Sequence, residues 1–436
     1  MPRYSQRFTP LMWFILALCV FELLVRLPYL IWLADNVYVG YRVRFHYFAS
    51  YDPWTVIRNG TFIVLATGIA ALIAHSLAQH RPLPRIKRMR LVRLRWPFYA
   101  GAIGTCLATL FGIYLLGASE IAQNISAKRD LDEIDAGVLL YLLLKISLFS
   151  HVLATLAYMA YLGSGRKGYL ALLVPLVLLT MAVSIIFSQR ALLFALAFEI
   201  VYVTYLYRGL NARKLLTYTL PFAFVLVGIG ALRAIGSDGA SIGDAALVGI
   251  DKVMSSRYFL NISKVGTIYE WQRITGEIDF LALNFLVEPF APDETVYFKD
   301  VGRLVGAEIF GMASSGVTLG LVSEYLLSFG AVIASLFVFA TFFVMFTTEK
   351  LMLKAPRPSI IAFFALTKVP ILLNTSLGSF IYQTVLETLM LLVIIPGLSF
   401  AVLKPVRKGP GRMMRAVPER RPFPANGQQQ PVSLRR

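Results

Sequence analysis

Ten apolar runs, near residues 11–33, 61–79, 97–118, 137–162, 169–187, 191–207, 215–232, 317–346, 359–376 and 379–403, constrain this chain more than any other feature. At ~1.5 Å per residue each is long enough to cross a hydrocarbon core of ~30 Å, allowing for tilt and local thinning. Backbone amides in lipid must find partners within their own segment, so the runs are read as helices. The expected fold class is all-α, a polytopic membrane protein with about 10 transmembrane helices. A mean hydropathy of +0.68 and a charged fraction of 15% agree with that class.

The formal charge of +18 is written mostly into particular connections, so it reports topology before it reports partners. Arg81, Arg85, Lys87, Arg88, Arg90, Arg93 and Arg95 follow the second run, and Lys404, Arg407, Lys408, Arg412, Arg415, Arg420 and Arg421 follow the last. By the positive-inside rule both segments are cytoplasmic, as are the links holding Arg166 and Lys167, residues 208–214, and residues 349–358. Both termini then fall inside. Segments 34–60, 119–136, 188–190, 233–316 and 374–378 fall outside, and 233–316 is the one large extracytoplasmic loop. Nucleic acid is not an expected partner. Residues 1–403 are expected to form the bundle, and 404–436 a basic, disordered cytoplasmic tail too poor in apolar residues to fold alone.

The N-terminal run follows Arg3 and Arg7 as a signal peptide would, but it passes Glu22 and Arg26 and reaches Leu33 with no small-residue cleavage site. It is read as a retained first span. Cys19 and Cys106 sit in apolar segments, which suggests neither a disulfide framework nor a thiolate metal site. No Gly-x-x-x-x-Gly-Lys-Ser/Thr, His-Glu-x-x-His or Gly-x-Ser-x-Gly pattern occurs, which disfavours a nucleotide-driven pump and a zinc protease. No cofactor and no metal are expected.

Ionisable groups at bilayer depth cost ~2.5–3.5 kcal/mol each and usually face the bundle interior. Glu22, Arg26, Lys145, His151, Glu199, Glu324, Lys368 and Glu387 are of this kind. Snorkelling or mutual pairing accounts for Glu22, Arg26, Glu199 and Glu387; Lys145 and His151 lie too deep for snorkelling, and sequence names no partner for them.

Outside the spans, Arg190 caps a very short turn between two apolar runs and Arg233 stands where the seventh run ends. A guanidinium at either place can grip phosphate bidentately or anchor among headgroups. Arg257 and Arg273 are accompanied by Tyr258, Tyr269 and Trp271, a mixture suited to sugar faces and anionic groups. Residues 250–275 also read as an amphipathic helix lying on the membrane, with Val253, Phe259, Leu260 and Ile268 as its apolar face.

Two short stretches carry a family likeness. Ser188-Gln189-Arg190-Ala191-Leu192-Leu193 and the run from Gly316 through Ser323-Glu324-Tyr325 to Phe329-Gly330 resemble the oligosaccharide repeat-unit polymerases of the Wzy or O-antigen polymerase type. The likeness covers roughly 180–350, and the first 160 residues match in hydropathy alone. It implies a GT-C-like bundle in a bacterial inner membrane, with the site facing the periplasm. It also implies a metal-independent glycosyltransferase that moves a growing glycan from undecaprenyl pyrophosphate onto the next lipid-linked repeat unit, for O-antigen, capsule or exopolysaccharide. Partners implied are those lipid-linked oligosaccharides, membrane lipids, and chain-length regulator and flippase proteins. Carried over residue by residue, Arg190, Arg233, Arg257 and Arg273 would bind pyrophosphate and glycan, and Glu324 would act as catalytic base. Related ligases lean on a histidine in the large loop, and this loop has none.

Two rivals stand beside this reading. A glycosyltransferase using polyprenyl-phosphate sugars would want a carboxylate pair in the first outer loop, but Asp130-Leu131-Asp132 lies in the second. A flippase for lipid-linked glycans would favour internal repeats and discontinuous spans.

Overall fold

The structure is a computed structural model and describes residues 8–36, 47–78, 89–91, 96–127, 138–147, 149–186, 190–208, 228, 260–276, 301–310, 319–354, 360–373, 381, 385 and 403–405. All fall within one unit, Met1–Pro405. Nearly all of the expected spans 215–232 and 379–403, and the tail beyond Pro405, lie outside the described residues.

The elements run α1 (Pro10–Phe21), a π-helical turn (Glu22–Arg26), α2 (Leu27–Asp35), α3 (Pro53–Ala78), β1 (Met89–Leu91), α4 (Trp96–Ala127), α5 (Val138–Ser147), α6 (Ser150–Ser164), α7 (Gly168–Ile186) and α8 (Arg190–Arg208). They continue with α9 (Ile262–Thr275), α10 (Val301–Glu308), α11 (Leu321–Lys354), α12 (Ile360–Thr367), α13 (Val369–Leu372) and β2 (Leu403–Pro405). Among the described residues five helices are long and apolar enough to cross a membrane: Pro10–Asp35, Pro53–Ala78, Phe98–Ile121, Gly168–Ile186 and Leu321–Leu353. Leu192–Tyr207 is a shorter apolar helix. Phe62, Ile69, Leu107, Leu110, Leu178, Val332 and Leu336 are exposed on these helices. A belt of that kind has no place in water and suits lipid, so the chain is a helical membrane protein.

Besides Gly117, which kinks α4 at φ 76° and ψ 159°, three departures from straight helices have local causes. Pro28 has no N–H for the carbonyl four residues back, and just before it the register slips: the Leu27 N–H bonds to the Glu22 carbonyl, a π-helical step. Pro370 likewise gives nothing to the carbonyl of Leu366, and the chain breaks between α12 and α13 at Lys368. Gly330, at φ 72° and ψ 168°, turns α11 back on itself. Tyr325 Oη lies 3.1 Å from Thr341 Oγ1, although sixteen residues of straight helix would hold them ~24 Å apart. Phe329 stacks on Phe337 at 4.6 Å between centroids for the same reason. The expected single span over 317–346 is therefore two antiparallel arms, 321–329 and 331–354. The second span also begins earlier than its apolar run suggests, at Pro53.

Several helix ends meet at one end of the bundle. Glu349 Oε1 accepts from Tyr202 Oη at 2.9 Å and from the Leu11 amide at 3.4 Å, so the start of α1 and the ends of α8 and α11 converge. Lys350 Nζ donates to the carbonyl of Ala78 at the end of α3. The antiparallel ladder of β1 and β2 sets Arg90 across from Lys404, joining the two most basic segments of the chain.

Candidate functional site

Helix α9 falls in the segment expected to be the large outer loop, yet it is an internal strut. The expectation of an amphipathic helix lying on the membrane fails for its described part. Ser263, Lys264, Thr267 and Glu270 are buried, as are Ile262, Val265 and Ile268, so polar and apolar faces alike are covered. Satisfied backbone groups make this burial tolerable. Asn261 caps the helix, its Oδ1 accepting from the Lys264 amide at 3.2 Å and from Ser263 Oγ at 2.8 Å. Glu22 Oε2 takes the Ile262 amide at 3.2 Å and its Oε1 accepts from Arg26, so the π-helical turn aims a carboxylate at the start of α9.

The other end of α9 builds a polar rim. Gln272 Nε2 donates to the Leu326 carbonyl at 2.9 Å, tying α9 to the first arm of α11. Glu270 accepts from Arg273 at 3.0 and 2.5 Å and from Asn59 Nδ2 at 3.1 Å. The hydrogen bonds and charge of Arg273 hold the Glu270 carboxyl below the usual carboxylate range, and the pair pushes the guanidinium up in turn. Asp52 is held low by its hydrogen bonds from Thr55. Burial, and then the charge of Glu270, raises the Tyr51 phenol.

Below this rim runs a groove of about 350 Å³ between α3, α9 and α11. Arg58, Phe62, Ala66 and Ala70 follow one another at steps of four on α3, with Asn59, Ile63 and Thr67 beside them. Val322 and Leu326 form a second wall, and Ala331, Ala334, Ser335 and Val338 a third. Tyr269 closes the top next to Arg58 and Asn59. From Arg58 to Ala70 the wall descends ~18 Å along the helix. The groove thus has a cationic, hydrogen-bonding head and a long apolar body, the profile of a lipid with an anionic headgroup.

Of the residues singled out from sequence, Arg273 stands at this rim with its side chain 59% exposed, its guanidinium held by both carboxylate oxygens of Glu270; it does not itself line the groove. Glu324 is buried in the first turn of α11, in sequence between the groove residues Val322 and Leu326 but not itself lining the groove. Arg190 opens α8. Arg233 and Arg257 lie outside the described residues. Arg58 escaped sequence reading because the apolar run seemed to start at 61. The signal was present, an arginine heading the i, i+4 stripe of Phe62, Ala66 and Ala70.

Three of the ionisable residues of the apolar runs meet elsewhere. His151 of α6, Glu199 of α8 and Lys368 at the break between α12 and α13 are each at most 1% exposed, and His151 meets both of the others. Glu22 and Arg26 pair as expected. Comparison of the chain with family models, curated proteins and solved structures returns no match.

Proposed function

We propose that the protein polymerises oligosaccharide repeat units carried on a polyprenyl pyrophosphate, in the outer half of a bacterial inner membrane. The observation that supports this best is the groove, whose Arg58, Asn59 and Tyr269 head an apolar channel walled by Ala66, Ala70, Ala334 and Val338. In this reading the polyprenyl chain lies along the channel and the pyrophosphate sits at the rim. The positive-inside assignment of the basic segments turns the rim outward.

The acceptor hydroxyl attacks the anomeric carbon of the donor glycan, and the bond from that carbon to the pyrophosphate oxygen breaks. The leaving pyrophosphate gains negative charge as it departs. Arg58 and Arg273 meet that charge, with Arg190, Arg233 and Arg257 as further phosphate and glycan contacts; donors fixed in advance stabilise the transition state more than the ground state. Glu324, the carboxylate that the resemblance names, is assigned the hydroxyl proton.

The test is reconstitution of the full chain in liposomes with a polyprenyl-pyrophosphate oligosaccharide and no sugar nucleotide. The expected result is a ladder of longer lipid-linked glycans with release of polyprenyl pyrophosphate, lost in Glu324→Gln. Transfer of single units across the bilayer without lengthening would make the protein a flippase instead.

A further inference from the structure

Away from the groove, and on none of its helices, the meeting of His151, Glu199 and Lys368 poses a separate chemical question. Lys368 Nζ lies 2.9 Å from His151 Nε2, and Glu199 Oε1 lies 3.8 Å from the same nitrogen. Thr155 Oγ1 donates to Glu199 Oε2 at 2.6 Å, and Thr367 Oγ1 to Oε1 at 3.5 Å. His151 opens α6 and Glu199 stands midway along α8. All three side chains are at most 1% exposed, so water does not reach the cluster.

Nε2 faces both neighbours but bonds to one at a time: with a lone pair it accepts from the Lys368 ammonium at 2.9 Å, and with a proton it can turn to Glu199 Oε1, which at 3.8 Å lies just beyond hydrogen-bond length. If the ammonium hands its proton across the 2.9 Å contact, a neutral amine and an imidazolium result. If the imidazolium passes that Nε2 proton to Oε1, the ring returns to neutral and the carboxylate becomes a carboxylic acid. Each step moves one proton and conserves the cluster's charge. A fixed brace needs only two opposite charges, whereas a histidine set between a cation and a carboxylate is what proton relays in membranes use.

The surroundings favour exchange over a rigid brace. Lys368 occupies the one residue between α12 and α13, where the helical ladder is already interrupted. Along α6, hydroxyl pairs flank the cluster on both sides: Ser150 with Thr180 at 2.7 Å, and Tyr158 with Thr204 at 3.0 Å. Among the described elements around the cluster, helices α1, α7, α12 and α13 carry no acidic or basic side chain, α4 carries Glu120, and α5, which leads into α6, carries Lys145. On α8 the next ionisable group is Tyr202, which is tied to Glu349 of α11, and Tyr205 follows. The strand β1 brings Arg90.

We propose that Lys368, His151 and Glu199 form a proton-exchange site buried in the bundle, through which the protein takes up and returns one proton. The site is independent of the polymerase reading and survives its failure.

The experiment is pH-difference infrared spectroscopy on the full-length protein in nanodiscs, between about pH 5 and about pH 8. A protonated-carboxyl band that titrates in the parent and is lost in Glu199→Gln is expected. In Lys368→Met its midpoint should move by at least about one pH unit. Thr155→Val, which keeps side-chain shape and removes only the hydroxyl donor, should also move the midpoint, and it decides the matter if the charge variants fail to fold. A parent without a titrating band, a band untouched in Glu199→Gln, or a Thr155→Val midpoint identical to the parent would each overturn the proposal.

Discussion

Gly266 of α9 rests directly on the backbone of α3 at Gly60. A Cβ on Gly266 would come within 2.1 Å of the Val56 carbonyl oxygen and 3.0 Å of the Gly60 nitrogen, and one on Gly60 within 2.0 Å of the Ile262 oxygen. Two helices meeting without side chains between them is a packing mode suited to membranes, where close backbone approach replaces the hydrophobic effect. Gly266→Ala should lift α9 off α3 at ~1–3 kcal/mol, a typical penalty for overpacking. A cysteine at the buried position, Ser263→Cys, should resist thiol labelling in the parent and react in the Gly266→Ala background. Gly101→Ala on α4, where a Cβ meets nothing within 4 Å, should leave Ser263→Cys as resistant to labelling as in the parent.

The hairpin in α11 depends on Gly330 in the same direct way. At φ 72° an L side chain is strained, by ~1–2 kcal/mol for alanine. Gly330→Ala should shift the two arms away from their folded-back arrangement, a change of about 5–30-fold in population. Paired Tyr325→Cys and Thr341→Cys should form a disulfide readily in the parent and several-fold more slowly with Gly330→Ala. Equal rates would mean that packing of Phe329 on Phe337 fixes the turn without help from the glycine.

Hydropathy carried the class of this fold and the starts of most helices, because burial in lipid imposes one simple rule on every span. It could not show the hairpin at Gly330, since both arms are apolar and the run reads through the glycine without interruption. The burial of α9 was hidden for the opposite reason. Its sequence, with Ser263, Lys264 and Glu270, looks like solvent-facing helix, and only contacts made by Glu22, Asn59 and Gly60, some two hundred residues earlier, make its interior position stable. Sequence named Arg273 at the rim from its aromatic neighbours but passed over Arg58. His151, Glu199 and Lys368 were each visible as misplaced charges, yet their meeting is a tertiary fact that no local pattern encodes.

Acid should loosen α9. Glu270 titrates below the unfolded value of about 4.3, chiefly through its hydrogen bonds from Arg273. A carboxyl lowered on folding stabilises the folded state fully above the unfolded value, and that contribution disappears as pH falls through the folded one. In the parent, the melting temperature should therefore drop below about pH 4.3 with Glu270 contributing to the slope. Arg273→Gln removes the main cause of the shift, so the variant should start less stable at neutral pH and lose less on acidification. Parallel pH profiles for the two proteins would show that the rim pair contributes nothing to docking.

The groove makes two separable demands on a ligand, and two substitutions probe them apart. Arg58 heads the groove and Ala70 lies at its depth. Losing a hydrogen bond to a charged group costs ~1.5–3 kcal/mol, so Arg58→Ala should weaken binding of polyprenyl pyrophosphate by about 10- to 150-fold. A short-chain, water-soluble pyrophosphate analogue should be weakened as much, because both share the headgroup. Ala70→Phe instead fills the apolar body: it should exclude the long-chain lipid and leave the short analogue bound as before. Arg166→Ala, an exposed arginine in the link between α6 and α7, should change neither. If Ala70→Phe affects both ligands equally, or neither substitution affects either ligand, the groove is a packing defect between α3 and α11 and the lipid binds elsewhere.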